Sequence, residues 1–507
     1  MSLLAQTFVG PEVQWFALTP ILILVGAALF LLLVGALTPQ WPRGLYAATT
    51  AVAAGSAGVL AMVLWDDVTD QGPKTLVGGA LSFDTFAQFV TITICAALVL
   101  VALTSDDYLR REGLDGPEVY ALFLVAAAGA VVMASANDLI VVFVGLETMS
   151  LGFYVLAASY RRKEGSAEAG LKYFVLGGFS SAFLLYGIAL VYGATGSTNL
   201  SKMVDAVTNR VPVERNDTLV LAGAALLLVG LGFKVAAVPF HVWTPDVYQG
   251  APTPITAFMA SVGKVAAFGA LLRVFVVGLP AFRDDWRPAI WILAVLSLVA
   301  GSFLAVVQTD VKRMLAYSSI SHAGFILVGV EAAAHRAGEA DSGLGVPSAL
   351  VYLLAYAVMV AGTFGVVALI ARRGDRRTDL DAFRGLGSTR PTLALALTVF
   401  LVAQAGVPFT SGFIAKFGVI RAGVDEHSYA LAIIAMVSSV VAAFLYLRIM
   451  VSAWMADPPT EGEAATKVAI PFASGSAIAL AVGFTLLVGI FPDWLLRAAE
   501  TTTQFAR

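Results

Sequence analysis

Apolar stretches of about twenty residues follow one another along almost the whole of this 507-residue sequence, separated by short turns rich in Gly, Pro and charge. In lipid a backbone satisfies its own hydrogen bonds only as helices or as a closed barrel, and runs this long and unbroken are helices. Charged side chains make up 13% of the residues, against about 25% in an ordinary soluble domain, which leaves no room for a sizeable aqueous domain. At roughly 35 residues per pass, the length accommodates about fourteen passes. The pattern predicts an all-α polytopic membrane protein with spans at 16–37, 44–65, 83–103, 118–134, 137–160, 168–195, 219–250 with an interruption, 253–279, 288–307, 313–331, 346–371, 391–420 with an interruption, 427–454 and 469–490.

The 31 Lys and Arg against 34 Asp and Glu give a net charge of -3, which points to no nucleic-acid partner and no acidic substrate. Cys95 is the only cysteine and His241, His322, His335 and His427 are widely scattered, so neither a disulfide nor a metal or iron–sulfur site is expected on this chain. The first basic residue is Arg43, so the positive region of a cleavable signal peptide is missing and the first span is expected to be retained. Basic residues flank membrane spans on the cytoplasmic side. The linkers after odd-numbered spans hold fifteen of them, six between Arg372 and Arg390 alone, and the even-numbered linkers hold eight. The odd linkers are therefore predicted to be cytoplasmic. Both termini are then on the outer side, with the polar tail from Pro492 lying along that surface.

The two interrupted spans share a motif. Ala236-Ala237-Val238-Pro239-Phe240 reads like Ala405-Gly406-Val407-Pro408-Phe409, at an offset of 169 residues, and Gly152-Phe153 resembles Gly324-Phe325 at a similar offset. Such an interval holds five spans, an odd number, so the second unit enters the membrane from the opposite side. Inverted repeats of this kind place ion sites near the midplane, at helices interrupted by Pro or Gly.

Charges inside the spans carry the functional argument, because an ionised group at the bilayer centre costs at least ~2.5 to 3.5 kcal/mol and needs a partner, water or a function. Glu147 lies about ten residues into its span, and Lys234, five residues before Pro239, is its expected partner. Lys264 is central in the next span; Lys416 follows the second break; His322 sits among three serines in Ser-Ser-Ile-Ser-His, suited to a hydrated proton path. Lys172 lies near a helix end, where snorkelling to the interface competes with a functional role, and His241 follows the first break, where it competes with a satisfied polar group at a loop. An ammonium is disfavoured by loss of water and favoured by a nearby carboxylate, so moving one partner moves the proton. Static ion pairs between helices are the rival reading. The residues alone reach a proton or cation translocator.

Two long segments are more specific: Lys234-Val-Ala-Ala-Val-Pro-Phe-His-Val-Trp-Thr-Pro-Asp-Val-Tyr-Gln-Gly-Ala-Pro-Thr-Pro-Ile-Thr-Ala-Phe258 and Asp310-Val-Lys-Arg-Met-Leu-Ala-Tyr-Ser-Ser-Ile-Ser-His-Ala-Gly324. They resemble the antiporter-like membrane subunits of respiratory complex I, the bacterial proton-translocating NADH:quinone oxidoreductase, and residues 246–252 look more like its subunit N branch than its L or M branches. The resemblance spans nearly the whole chain. It implies a three-helix segment at 1–117, a first five-helix antiporter-like unit at 118–279, an inverted second one at 288–454, and a last helix with a surface tail at 455–507. It also implies a proton relay through Glu147, Lys234, Lys264, His322 and Lys416, with Lys172 and His241 as further candidates, in a bacterial cell membrane. One departure is Phe-Thr-Ser-Gly-Phe after Pro408, where the family more often has a second Pro or a small apolar residue. Neither a Gly-rich dinucleotide fingerprint nor a cysteine cluster is visible, so NADH, FMN, iron–sulfur clusters and quinone are expected on partner chains. Expected partners are the antiporter-like subunit M, small membrane subunits, indirectly the redox-arm subunits, and the lipid bilayer. A cation/proton antiporter subunit of the same superfamily and a non-pumping membrane anchor are the alternatives.

Overall fold

The computed structural model describes residues 13–38, 41–208, 216–339, 343–371, 373–457 and 470–506. Arg210, Arg215, Arg372 and Lys467, which entered the orientation count, and the extreme N-terminus lie outside the described residues. Three helices open the chain: α1 (Thr19–Leu37), α2 (Leu45–Gln71) and α3 (Thr85–Glu112). A hairpin of β1 (Lys74–Leu76) and β2 (Leu81–Phe83), with Lys74 opposite Phe83, links the second to the third. The carboxylate of Asp84 caps α3 by accepting the Ala87 amide at 2.8 Å, satisfying one of the donors a helix start leaves free. Next come α4 (Pro117–Ser135), α5 (Leu139–Ala157), α6 (Glu164–Thr195) and the short α7 (Leu200–Val207). The helices α4 and α5 touch closely through glycines: a Cβ on Gly145 would stand 2.6 Å from the Met133 amide nitrogen, so only glycine fits where Glu147's helix crosses its neighbour.

The first break follows. Helix α8 (Asp217–Lys234) stops at its lysine, and the chain turns through 235–243 before α9 (Thr244–Gly250). From Thr253 to Val277 a single span is built of α10 (Thr253–Phe258) and α11 (Lys264–Leu272), with π turns at Met259–Gly263 and Arg273–Val277. Then α12 (Arg283–Val306), α13 (Val311–His335) and α14 (Gly345–Ile370) run as long helices, and α15 (Leu386–Thr389) is a single turn. The second break separates α16 (Pro391–Ala405) from α17 (Ser411–Asp425), and α18 (Tyr429–Met455), α19 (Phe472–Ile490) and α20 (Asp493–Glu500) complete the chain.

Thirteen helices among the described residues are long and apolar enough to cross a membrane, and the remaining expected span, 391–420, is the pair α16 and α17. The protein is thus a multi-pass, all-α membrane protein. Both Val-Pro-Phe motifs fall in the breaks, but the breaks differ. The first occupies 235–243 and leaves Lys234 before it; the second occupies 406–410 and leaves Lys416 after it. The span Thr253–Val277, α13 and α14 are almost wholly enclosed, whereas α1, α6 and α18 turn rows of large apolar side chains outward, as lipid-facing helices do.

The tail departs from expectation. It does not simply lie along a surface: α20 is followed by a turn that carries Phe505 and Ala506 into the protein, where the Ala506 amide donates to Asp84 at 3.0 Å and the Thr85 hydroxyl donates to the Thr501 carbonyl at 2.8 Å. The tail is amphipathic, but the buried Asp84 acceptor supplies a polar anchor that a surface-lying segment lacks.

Candidate functional site

A row of basic side chains lies well inside the fold, Lys264 and His322 on the enclosed helices and Lys234 and Lys416 beside the two breaks, each at most 6% exposed. Lys234 ends α8, and its ammonium donates to Ser150 Oγ at 2.8 Å and Tyr154 OH at 3.1 Å, both on α5. The broken helix leaves the Phe233 carbonyl accepting from the Ala236 amide and from Trp243 Nε1. The chain break thus releases backbone acceptors beside the lysine, as helix interruptions in membranes do.

Glu147 and Lys234 are brought into the same region but not into contact. No ion pair within 4.0 Å joins them among the described residues; Glu147 instead accepts the Ser181 hydroxyl from α6, and Ser150 stands one turn further along α5 as the group Lys234 meets. The expected direct pair is therefore corrected to a separated one. Glu147 lies three and seven residues before Ser150 and Tyr154 and shares their face of α5; Lys234 meets that face at Ser150 and Tyr154, one to two turns beyond Glu147, an axial offset that counting along the spans does not resolve.

Lys264 follows directly on a π turn, a widened helical turn often found at functional sites. Its ammonium donates to the Ser319 carbonyl on α13 at 2.5 Å. Tyr356 of α14 donates to Ser319 Oγ at 2.8 Å. His322, one turn further along α13, has Nδ1 2.7 Å from Tyr352 OH and Nε2 3.1 Å from Tyr446 OH, and Tyr446 is 2.6 Å from Ser318 Oγ. Lys416 reaches back across the second break to the Ala405 carbonyl at 3.0 Å and to Ser439 Oγ at 2.9 Å, with its Nζ 4.7 Å from the centre of the Phe325 ring. Gly406, at φ 89°, admits the lysine stem there.

The two remaining candidates lie elsewhere. Lys172 pairs with Asp246 at 2.7 Å and Glu168 at 2.6 Å in a half-exposed cluster joined by Arg313, away from the central row. His241 sits in the first break, half-buried, with a buried Nδ1 that has no hydrogen-bond partner among the described residues. Of the other intramembrane cations, Arg448 donates to the Val306 and Gln308 carbonyls, capping the end of α12, a structural task. Sequence reasoning missed the hydroxyls that hold the row, Ser150, Tyr154, Tyr352, Tyr356, Tyr446 and Ser439. Only the clustering of Ser318, Ser319 and Ser321 around His322 signalled them.

Each ammonium in the row is held by hydroxyls, carbonyls and aromatic faces. Among the described residues none has a carboxylate within ion-pair distance.

Residues 136–442 match the family model described as NADH:quinone oxidoreductase/Mrp antiporter, TM. The NADH-quinone oxidoreductase subunit N 3 of Streptomyces griseus is 40% identical, over 99% of this chain and 96% of that protein. Among solved structures, a chain of respiratory complex I from Thermus thermophilus with bound aureothin is 32% identical with a TM-score of 0.78, covering 95% of this chain and all of that one. A chain of the Mrp complex from Dietzia sp., 22% identical with a TM-score of 0.82 over 96% of this chain and 97% of its own, shares the fold. With its broken helices, its buried basic row and this full-length similarity, the chain belongs to the NADH:quinone oxidoreductase/Mrp antiporter membrane family, in its NADH-quinone oxidoreductase subunit N branch.

Proposed function

We propose that this chain is the proton-translocating membrane subunit of an NADH:quinone oxidoreductase and that Lys234, Lys264, His322 and Lys416 pass the proton, with Glu147 biasing the first of them. The observation that carries the reading is the row itself: four basic groups buried in lipid-spanning helices and held by neutral partners. Such groups are costly as architecture and useful as proton carriers. Lys234 hands its proton toward the hydroxyls of Ser150 and Tyr154; Lys264 and His322 exchange through the Ser319, Tyr352 and Tyr446 layer; Lys416 takes it at the second break. NADH, FMN, iron–sulfur clusters and quinone belong, in this reading, to partner chains, and subunit M and the small membrane subunits are the neighbours in the bilayer. The two halves act as inverted units, 118–279 and 288–454.

Lys416→Arg tests the reading. The variant keeps the charge but not the ability to release a proton, because arginine does not deprotonate in proteins. In reconstituted vesicles driven by NADH, its proton-to-electron ratio is expected to fall; an unchanged ratio in an assembled complex removes Lys416 from the path.

Orientation follows the basic linkers, with the 372–390 loop in the bacterial cytoplasm and the C-terminus outside. An impermeant thiol reagent applied to spheroplasts should label a cysteine at the exposed Gln504 and spare one at the exposed Asp381. The reverse pattern inverts the assignment.

A further inference from the structure

Helices α8 and α12 are held together at the first break, where the Val238 amide donates to Ser297 Oγ at 2.9 Å. Above that bond a cavity of about 460 Å3 separates them, walled by Leu221 and Leu228 of α8 and by Ile292 and Leu293 of α12, with Asp285 at one end and Phe240 of the break at the other. The Phe240 ring is seated on α8, since a Cβ at Gly232 would stand 2.9 Å from it, and Lys234 is two residues further on. Eight residues separate Asp285 from Leu293, so the slot runs ~12 Å along α12. That is close to the depth of one leaflet, about 15 Å or half of the ~30 Å hydrocarbon core. Both helices begin on the side of the even-numbered linkers, which makes this the outer leaflet.

The slot is apolar and opens toward lipid, on the side where α12 turns Ile292, Leu296 and Phe303 outward. An apolar cavity does not hold water, and side chains with no atoms opposite them forfeit their dispersion contacts, so hydrocarbon is the filling that costs least. A helix about 10 Å across fills roughly 900 Å3 over the same length, about twice the volume of the slot, so an extended chain fits and a partner's helix does not. The mouth adds a preference of charge. Arg283 donates to the Ala337 carbonyl at 3.0 Å and pairs with Glu339 at 2.8 Å, while Arg287 lies 2.8 Å from His335 Nδ1 and reaches Asp284 at 4.0 Å. Asp285 is exposed and has no ion pair among the described residues. Such a carboxylate attracts an ammonium and repels an anionic headgroup.

We propose that this slot holds one acyl chain of an outer-leaflet phospholipid whose headgroup ends in an ammonium, such as phosphatidylethanolamine, with the ammonium beside Asp285 and the end of the chain against Phe240. The chain covers the outward side of the first break, so the helix that ends at Lys234 is backed there by hydrocarbon and not by water. The site is independent of how the proton moves, because none of its walls belongs to the basic row.

The test uses the assembled complex in vesicles of phosphatidylethanolamine and phosphatidylglycerol in equal parts, with a trace of either lipid carrying a photoreactive diazirine on one acyl chain. Illumination should place the ethanolamine probe on the slot walls, 221–229 and 285–293, about two- to fivefold more often than the glycerol probe, the weight of one exposed ion pair. Asp285→Asn should bring the two probes to equality. Ala225→Trp fills the slot from the α8 side and should abolish labelling there, while Leu296, outward on α12, is labelled as before. Where that variant does not assemble, Ala289→Phe fills the slot from α12. Slot labelling unchanged in an assembled, filled variant overturns the site, and equal labelling by the two probes in the wild type overturns the choice of headgroup. Labelling of Leu296 with none in the slot means that a partner chain covers it, and loss of the label on adding a long-chain quinone means that a quinone tail is the occupant; either result overturns the proposal.

Discussion

Lys234→Ala is expected to abolish most redox-driven proton translocation while leaving the complex assembled. A positioned group that donates and accepts a proton contributes typically ~100-fold to ~10,000-fold to the rate of its step, and alanine leaves neither that group nor a substitute within reach of Ser150 and Tyr154. Structural damage should be modest. Lys234 is not in contact with Glu147, which keeps the Ser181 hydroxyl and is only partly buried, so truncating the lysine strands no bare carboxylate in the core. Ser150 retains its bond to the Leu146 carbonyl at 2.6 Å. The aromatic faces of Tyr154 and Tyr173, 5.4 and 5.8 Å from the ammonium, lose a cation but not their packing. Proton-to-electron ratios in vesicles, read beside native gels that report assembly, decide the matter. An assembled variant with the wild-type ratio sinks the role of Lys234. Glu147→Gln should be milder, because the separation imposed by Ser150 makes Glu147 an electrostatic neighbour and not a direct proton partner.

What the sequence could and could not disclose divides along physical lines. The spans were readable because a helix needs a fixed length of apolar chain to cross lipid, and that requirement acts residue by residue. The breaks at 235–243 and 406–410 were readable because Pro cannot continue a helix, and the depth of Lys234, Lys264, His322 and Lys416 follows from counting along their spans. The register between neighbouring helices is a different quantity. Glu147, Ser150 and Tyr154 share one face of α5, and the level at which Lys234 meets that face is set by how the helices pack, so Glu147 looked like a contact and Ser150 went unnoticed. The tyrosines around His322 escaped for a related reason: Tyr352, Tyr356 and Tyr446 fill apolar helices like any large core residue, and only the fold turns their hydroxyls inward.

The largest loss of stability is expected from Arg273→Met. Arg273 lies inside the Thr253–Val277 span, and its guanidinium pairs bidentately with Asp84, at 2.8 and 2.5 Å, both side chains being fully enclosed. Its Nε donates to the Ala134 carbonyl at 2.9 Å, and Phe86 and Phe505 lie 4.8 and 5.9 Å from the guanidinium. Asp84 meanwhile caps α3 and anchors the Ala506 amide, so one carboxylate ties together α3, the Thr253–Val277 span and the C-terminal tail. Methionine replaces the volume but leaves that carboxylate buried without its cation, a change that costs ~3 to 5 kcal/mol. Arg273→Lys should fall between, because a single ammonium cannot reproduce the planar two-point contact. The discriminating variant is the double one, Asp84→Asn with Arg273→Met. Removing both charges leaves none stranded, so its loss should be smaller than the sum of the two single losses. Retention of this subunit in the purified complex on heating reports the order, wild type above the double variant and the double variant above Arg273→Met. Equal retention of Arg273→Met and wild type would mean that the pair contributes nothing and that apolar packing around Phe86 and Phe505 alone holds the tail in place.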